Sequence, residues 1–278
     1  MIDNLTTIGN SLIQHGPYND RIYLLKLSQD DFPEIITKLD SLASQENYSK
    51  IFAKLPDYAK DDFLAKEYVI EASIPNFYHG RQTAYFMAKY FSNSRKQLSD
   101  PDELNNVLRA AKFKYSDESP FIILSEGFNS RECHLSDISE IAQLYQKVFE
   151  TYPFPIHDPD YIAETMADNV TYFGVWHNQS LVSLASSEMD LNGSNVEMTD
   201  FATLPDYRGH NLSAYLLQTM EHHMEKLNVK TAYTIARALS YGMNITFAKM
   251  GYLYSGTLIN NTNISGSLES MNVWYKPL

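Results

Sequence analysis

One short segment of this 278-residue chain combines residue types that could bind an anion. It runs from Thr199 to Ser213, and its pattern predicts a buried strand, a turn and the first turn of a helix. Backbone N–H groups at a helix start have no helical partners, and this end of the helix carries a partial positive charge. Arg208, Gly209 and Asn211 lie in the turn itself. The segment therefore predicts a site for a diphosphate, beside a strand that could pair with a long amide arm of the same ligand.

Composition excludes several other kinds of chemistry. The net charge of −12 argues against non-specific nucleic-acid binding, and no apolar run approaches the length of a membrane span. The single cysteine, Cys133, excludes an intramolecular disulfide framework and a cysteine-rich zinc site. His222 and His223 face different directions on a predicted helix, and no Gly-x-Ser-x-Gly segment is present, so neither a metal centre nor a Ser-His-Asp hydrolase is predicted. Polar N-terminal residues predict no signal peptide, which indicates a reduced, cytoplasmic protein.

The elements around the turn must position it. Apolar residues recur at helical spacing from Ile138 to Val148, and Gly251 ends a later helix. The predicted strands are Arg131–Leu135, Val170–Trp176, Leu181–Ser186, Val196–Leu204, Thr231–Ala236, Tyr252–Ile259 and Met271–Tyr275. The other predicted helices are Pro159–Ala167, one that follows the turn, and Met243–Met250. This order predicts a mixed sheet with helices on both faces, in the α/β (mixed α+β) class.

The first part of the chain has a similar pattern. Its predicted strands are Arg21–Leu27, Lys50–Leu55, Tyr68–Ile74 and Thr83–Tyr90, and its predicted helices are Phe32–Leu42, Asp57–Lys66 and Asp102–Lys112. Ser-Asp-Glu-Ser-Pro at 116–120 interrupts the pattern, with a strand-like segment, Phe121–Leu124, after it. We therefore predict an N-terminal α/β lobe over residues 1–125 and a second domain over residues 126–278.

The element order and the Arg-Gly turn resemble the GNAT superfamily of N-acetyltransferases. Within it, seven segments are similar to the β-lysine N-acetyltransferase family: Ile74–Tyr78, Arg81–Tyr90, Thr199–Arg208, Ala232–Arg237, Tyr241–Tyr252, Gly256–Ile264 and Glu269–Tyr275. The resemblance covers most of the chain and is densest after residue 199. It implies an enzyme that moves acetyl from acetyl-CoA to the side-chain amine of β-lysine in a ternary complex. The implied product, Nε-acetyl-β-lysine, is a compatible solute for osmoadaptation.

The resemblance also implies where acetyl-CoA binds. The family's diphosphate motif is Arg or Gln, two residues, Gly, one residue, then Gly or Ala. Arg208 fills the first position, whereas Asn211 and Ser213 stand at the two small positions. Both departures are mild, because Asn tolerates positive φ and Ser is small. The pantetheine arm is expected on the main chain of Phe201, Ala202 and Thr203, and the other expected cofactor-binding residues are Gly209, His210, Leu212, Asn244 and Phe247.

Acetyl transfer requires a neutral amine, and an ammonium of pKa about 10.4 costs roughly 4.6 kcal/mol to deprotonate at pH 7. Glu197 and Asp200 are the candidate general bases, and we favour Glu197. They are three residues apart, so they face opposite sides of an ideal strand unless a bulge intervenes. A backbone N–H near Ala202 or Thr203 is expected to stabilise the oxyanion.

The family's usual general acid is a tyrosine four residues before the glycine that ends the last helix. Phe247 stands at that position and cannot donate a proton. Tyr241 or Asn244 could serve instead, or the CoA thiolate could leave unassisted because the pKa of a free thiol is low.

A β-lysine acceptor carries a carboxylate and a second ammonium. Arg237 could clamp the carboxylate bidentately or form a structural ion pair, and Glu269 could meet the second amine. The remaining expected acceptor-pocket residues are Tyr152, Phe154, Tyr78 and Arg81.

Three alternatives stay open at this stage. The enzyme could acetylate another amine, such as a polyamine, lysine or a protein N-terminus. The chain could be a non-catalytic acyl-CoA-binding module. The presence of Asn211, Ser213 and Phe247 at their motif positions slightly favours this alternative. The first lobe could also serve mainly for dimerisation, which would make the protein a homodimer.

Overall fold

The computed structural model describes residues 3–278 and contains two β-sheets with helices packed on them. The first lobe holds a six-stranded sheet in the order β1-β2-β3-β4-β6-β5. Its strands are β1 (Asn4–Ile8), β2 (Ser11–Gly16), β3 (Arg21–Lys26), β4 (Lys50–Pro56), β5 (Val69–Tyr78) and β6 (Gln82–Tyr90). Its helices are α1 (Ile35–Glu46), α2 (Lys60–Leu64), α3 (Asn93–Lys96) and α4 (Pro101–Phe113).

The second lobe holds a seven-stranded sheet in the order β12-β13-β11-β10-β9-β8-β7. Its strands are β7 (Phe128–Glu132), β8 (Val170–His177), β9 (Ser180–Asp190), β10 (Asn195–Thr203), β11 (Thr231–Arg237), β12 (Leu253–Ile264) and β13 (Ser267–Pro277). Its helices are α5 (Ile138–Val148), α6 (Pro159–Asp168), α7 (Leu212–Lys226) and α8 (Tyr241–Lys249). The sheet is mixed, because β10 and β11 run parallel whereas its other neighbours are antiparallel.

Helices cover both faces of this second sheet, as predicted. The apolar side of α7 packs with α8 against one face, where Leu216, Met220 and Phe247 belong to the same buried cluster. Helices α5 and α6 pack on the other face through a separate cluster that includes Ile141 and Ile162. The predicted fold class is therefore confirmed.

The first lobe packs directly on the second sheet and shares a core with it. Phe77 and Phe86 of the first lobe contact Tyr233 of β11 within one buried cluster. Strands β5 and β12 also touch through Ser255, whose hydroxyl accepts from the Ser73 N–H at 2.9 Å and donates to the Ser73 carbonyl at 2.8 Å. These hydrogen bonds join the two sheets where the edge strands β5 and β12 meet.

Several predicted elements have different bounds. Phe121–Leu124 was predicted as a strand, which is wrong. Phe121 and Ile123 are 81% and 79% exposed, and the Ile122 main chain bonds to the Gln218 side chain instead of a strand. Apolar contacts do alternate along this segment, but its main chain bonds to a glutamine side chain on α7 and not to a neighbouring strand.

Two further corrections concern short elements. The predicted strand Arg131–Leu135 lies earlier, at Phe128–Glu132, and Leu135 begins a 3₁₀ turn. The predicted helix Asp57–Lys66 is a 3₁₀ turn, Asp57–Ala59, followed by the short helix α2. The sequence analysis missed β1 and β2. The limit at residue 125 stays a prediction, although no helix or strand occupies residues 114–127. Residues 1–2, on which the signal-peptide prediction partly rests, lie outside the described residues.

Candidate active site

A cavity of about 1170 Å³ lies between the two lobes. Strands β3 and β4 of the first lobe contribute Arg21 and Lys54 to its wall. Strand β10 contributes Glu197 and Asp200, and the turn before α7 contributes Arg208. The cavity therefore joins the predicted anion-binding turn to the predicted catalytic carboxylates.

A bulge interrupts β10 at the centre of this cavity. The register between β10 and β9 shifts between Thr199 and Ala202, and Asp200 in the bulge has a φ of 54°. The bulge that the sequence analysis left open is therefore present, and Glu197 and Asp200 both line the cavity. A bulge places two residues opposite one, which breaks the strict alternation of side chains.

Strands β10 and β11 separate just beyond Glu197. In the described structure, their parallel pairing covers only Asn195–Glu197 with Thr231–Tyr233. The following residues of both strands line the cavity, including Thr199, Phe201 and Ile235. Main-chain groups along such a gap can pair with an extended ligand as a neighbouring strand would.

The turn before α7 and the first residues of α7 line the same cavity. Gly209 and Asn211 have φ angles of 88° and 57°, so the expectation that Asn211 tolerates positive φ is confirmed. The Asn211 side chain does not cap α7, and Leu212 and Ser213 of the first turn also line the cavity. Arg208 is exposed beside them. Uncapped N–H groups at the positive end of a helix favour a bound diphosphate.

The structure brings most of the predicted cofactor-binding residues to the cavity wall. Phe201 and Phe247 pack edge to face there, with ring centroids 5.5 Å apart. The others at the wall are Thr203, Arg208, Gly209, Asn211, Leu212 and Ser213.

Four of the predicted cofactor-binding and catalytic residues lie away from the cavity wall. Ala202 is buried against the α5 side of the sheet, and His210 is exposed with its ring 5.5 Å from that of Phe128. The buried Asn244 amide donates to two main-chain carbonyls and accepts from Asn272 and Trp274. Tyr241 is 40% exposed on the outer side of α8. Neither Asn244 nor Tyr241 is therefore placed to donate a proton inside the cavity.

Glu197 lies in a row of side chains that crosses three strands. Its cross-strand neighbours in the sheet register are Glu188 on β9 and Tyr233 on β11. The Lys54 ammonium donates a hydrogen bond to the Tyr233 hydroxyl at 3.2 Å. Burial raises the pKa of Glu197 to about 7, and the negative charge of Glu188 adds to this rise. Lys54 and the Tyr233 hydroxyl act in the opposite direction. Burial also raises the pKa of Glu188.

Asp200 is held by more hydrogen bonds than Glu197. Its carboxylate accepts from the Tyr152 hydroxyl, from the Ser186 hydroxyl at 2.5 Å and from the Thr199 hydroxyl at 3.3 Å. Burial raises its pKa, and these hydrogen bonds oppose the rise. Both oxygens of Asp200 are occupied by protein donors, so Glu197 is better placed to accept a proton from a substrate.

The structure pairs two predicted acceptor residues with each other. Arg237 donates to Glu269 through Nε at 3.0 Å and through Nη2 at 2.6 Å. The ion-pair alternative for Arg237 is therefore the one observed. Glu269 binds Arg237 and does not line the cavity. Three other predicted acceptor residues do line it: Tyr78, Tyr152 and Phe154. Arg81 is not part of the wall.

This ion pair gives a first prediction. Arg237→Gln is expected to lower the free energy of unfolding by about 1–3 kcal/mol, because the Glu269 side chain, only 6% exposed, would lose its partner. Adding Glu269→Gln should recover part of that loss. Urea unfolding of both single variants and the double variant measures the coupling, and simple additivity would contradict the pairing.

The sequence analysis missed Lys54, Glu188 and Arg21. Glu188 is recognisable only as the cross-strand neighbour of Glu197, so the register of β9 had to be known first. Lys54 and Arg21 reach the cavity because the first lobe packs on the second sheet. Local patterning does not encode that packing.

Within residues 3–278, no cluster of His, Cys, Asp and Glu side chains has an arrangement that would hold a metal ion. Over the same residues, no helix is both long and apolar enough to span a membrane.

Comparisons with known proteins agree with this geometry. The Acetyltransferase (GNAT) family model matches residues 138–252, which include the bulge, the turn and all of α8. A Beta-lysine N(6)-acetyltransferase of Methanococcus maripaludis is 44% identical over 275 residues, covering 99% of each chain. The N-acetyltransferase YodP of Bacillus subtilis is 33% identical and covers 100% of each chain. A Beta-lysine N(6)-acetyltransferase of Methanosarcina mazei is 32% identical over 89% of this chain and 98% of its own. The chain is a member of the GNAT family of N-acetyltransferases.

Proposed function

We propose that this enzyme transfers the acetyl group of acetyl-CoA to the side-chain amine of β-lysine. One observation carries the proposal: Glu197, with a pKa of about 7, lies in the same cavity as the diphosphate-binding turn and the gap between β10 and β11. The activity named for the Methanococcus and Methanosarcina relatives supports β-lysine as the acceptor. The product is Nε-acetyl-β-lysine.

The binding surfaces fit acetyl-CoA. The N–H groups of residues 209–213 and the Arg208 guanidinium would hold the diphosphate, and the separated edges of β10 and β11 would hold the pantetheine arm. Phe201 and Phe247 would pack beside that arm. The arm then leads toward the bulge at Asp200.

The proposed chemistry begins with removal of a proton from the acceptor ammonium. Glu197 accepts this proton directly or through one water, because a base of pKa about 7 is partly ionised at neutral pH and still binds a proton well. Glu188 and Asp200 give this part of the cavity a negative charge, which attracts the ammonium. The neutral amine then attacks the thioester carbon, and the C–S bond breaks as the amide C–N bond forms. The proton that the attacking nitrogen loses passes to the departing CoA thiolate, which gives the free thiol.

Departure of CoA is proposed to need no tyrosine. Phe247 lines the cavity where the family's proton donor would lie, and Tyr241 lies outside the cavity. A thiol has a pKa of about 8.5, so the sulfur can leave as a thiolate. A tyrosine donor would be needed only if the conjugate acid of the leaving group had a much higher pKa than a thiol.

An amine panel tests the proposal. Purified enzyme with acetyl-CoA and β-lysine should release one free thiol per acetylated product, and mass spectrometry should place the acetyl group on the terminal amine. If kcat/KM is higher for spermidine or lysine than for β-lysine, that amine is the acceptor and the β-lysine assignment is wrong. Calorimetric binding of CoA with no thiol release from any amine would make the chain a binding module.

Burial of Glu197 also predicts a stability effect. A carboxylate whose folded pKa is raised makes the folded state less stable as pH rises from its ordinary pKa of about 4.3 toward 7. Glu197→Gln should therefore increase the free energy of unfolding by roughly 1–3 kcal/mol at pH 8 and change it little at pH 4. Urea unfolding at both values measures this, and equal effects at the two pH values would contradict it.

Cellular role and assembly follow from the same proposal. The product carries one carboxylate, one ammonium and a neutral amide, so it suits a cytoplasmic compatible solute used in osmoadaptation. Accumulation of this product in cells at high salt tests the role. Light scattering of the full chain tests the predicted homodimer, and a single-chain mass would exclude it.

A further inference from the structure

We propose that Arg21 and Asn261 recognise the charged head of the acceptor, with Arg21 binding its carboxylate and Asn261 accepting from its neighbouring ammonium. This inference rests on the proposed function, since β-lysine supplies both groups. It replaces Arg237 and Glu269 as the candidates for these roles, because those two side chains bind each other.

Arg21 is an oriented cation with a free donor edge. It is 3% exposed and lines the cavity from β3. Its Nη1 donates to the Asn261 carbonyl and to the Thr262 hydroxyl, the latter at 3.2 Å. Its Nε is buried with no hydrogen-bond partner within residues 3–278. The Nε and Nη2 groups form one side of the guanidinium, the side that binds carboxylates bidentately.

Neighbouring buried cations of the first lobe are paired, whereas Arg21 is not. Lys50 contacts Glu71 at 3.0 Å, and Arg95 contacts Asp20 at 3.3 Å. Across the described chain, no carboxylate lies within 4.0 Å of Arg21. A buried charge without a partner is strongly unfavourable. The position of Arg21 is therefore explained if a ligand carboxylate completes the pair.

Asn261 supplies an acceptor beside this donor. It is 2% exposed, lines the cavity, and its Oδ1 is buried without a partner among the described residues. A bulge in β12 between Leu258 and Thr262 breaks the pairing there, and Asn260 has a φ of 43°. An unpaired buried donor and an unpaired buried acceptor thus occur in one wall of the cavity. A ligand with adjacent negative and positive groups would satisfy both.

Arg21 and Glu197 line the same cavity, and β-lysine carries one charged group for each of them. The ring of Tyr23 lines the same cavity and is 5.3 Å from the Arg21 guanidinium carbon. Burial raises the pKa of Tyr23, and the negative charge of Glu197 adds to this rise. In β-lysine, the terminal amine and the carboxylate carbon are six bonds apart, or about 7 Å in an extended chain. In this inference the head of β-lysine binds at Arg21 and its terminal amine reaches Glu197 along the shared cavity.

The test compares β-lysine with 1,4-diaminopentane, which is β-lysine without its carboxylate. Wild-type enzyme should prefer β-lysine by about 100-fold in kcat/KM, a ratio that a bidentate charged contact provides. In Arg21→Gln this ratio should fall at least 30-fold, with the KM for acetyl-CoA unchanged. Arg21→Lys keeps the charge without the fork and should give an intermediate ratio. It also carries the test if Arg21→Gln fails to fold.

Arg95→Gln is the matched control. Arg95 is also a buried first-lobe arginine bound to β12, through the Asn260 carbonyl at 2.8 Å, but it does not line the cavity. Its loss should lower stability and leave the substrate ratio intact. Equal loss of both activities in the Arg21 variants, or an unchanged ratio, would overturn the inference. If the wild-type enzyme acetylates another amine and not β-lysine, the proposed function itself is wrong. The wild-type measurement alone detects this outcome, so it is distinguishable from a failure of the Arg21 inference.

Asn261 has its own comparison, with 6-aminohexanoate, which keeps the carboxylate and lacks the second amine. Asn261→Ala should reduce the preference for β-lysine over 6-aminohexanoate about 10-fold. An unchanged preference would remove Asn261 from the inference.

Discussion

Glu197→Gln is expected to lower kcat about 10²–10⁴-fold, because glutamine cannot accept the proton of the acceptor ammonium. The affinity for acetyl-CoA should not change, since the turn at residues 208–213 is untouched. Rapid thiol-release kinetics and calorimetry with CoA measure the two quantities separately. Glu132→Gln is the control, because Glu132 is an exposed glutamate of β7 in the same sheet.

The pH profile of the same variant supports the assignment. Glu197 must be ionised to accept a proton, so wild-type kcat/KM should fall as the pH decreases through about 7. This acid limb should disappear in Glu197→Gln, leaving only the rise that comes from the amine itself. An acid limb that persists near pH 7 would assign the base to another group, with Asp200 the first alternative.

Arg208→Glu is expected to weaken acetyl-CoA binding about 100-fold, because it replaces a charge-assisted hydrogen bond by repulsion at the diphosphate site. The KM for β-lysine should remain within a few-fold of wild type. High salt should narrow the difference, because Arg208 is exposed and its charge is screened.

Lys226→Glu provides the same change of charge at the other end of α7 and should leave CoA binding unaffected. If Arg208→Glu binds CoA as tightly as wild type, the turn is not the diphosphate site. If both variants lose affinity equally, the effect is one of overall charge.

The features that the sequence predicts well depend on neighbouring residues. The strand, turn and helix around Arg208 follow from a buried apolar run and from an asparagine that adopts positive φ. The sequence indicates that Glu197 and Asp200 can reach one cavity only if a bulge separates them, and the structure contains that bulge. Local chemistry was sufficient here because each feature depends on residues that are close together in the sequence.

The features that the sequence does not predict depend on distant contacts. Glu188 influences Glu197 only through strand register, and Arg21 enters the cavity only because β3 packs against β12. From the sequence, Arg237 suits a ligand and an ion pair equally well, because its partner Glu269, 2.6 Å away in the structure, lies 32 residues further along the chain. Phe121–Leu124 alternates as a strand does, yet the Gln218 side chain on α7 takes its main-chain bonds.

A crystal structure of the enzyme with CoA and β-lysine tests the central claim most directly. The account predicts the diphosphate on the N–H groups of residues 209–213, the pantetheine arm between β10 and β11, and the terminal amine of β-lysine within one water of Glu197. A nucleotide bound elsewhere, or an acceptor amine remote from Glu197 with the cavity between the lobes empty, would contradict it.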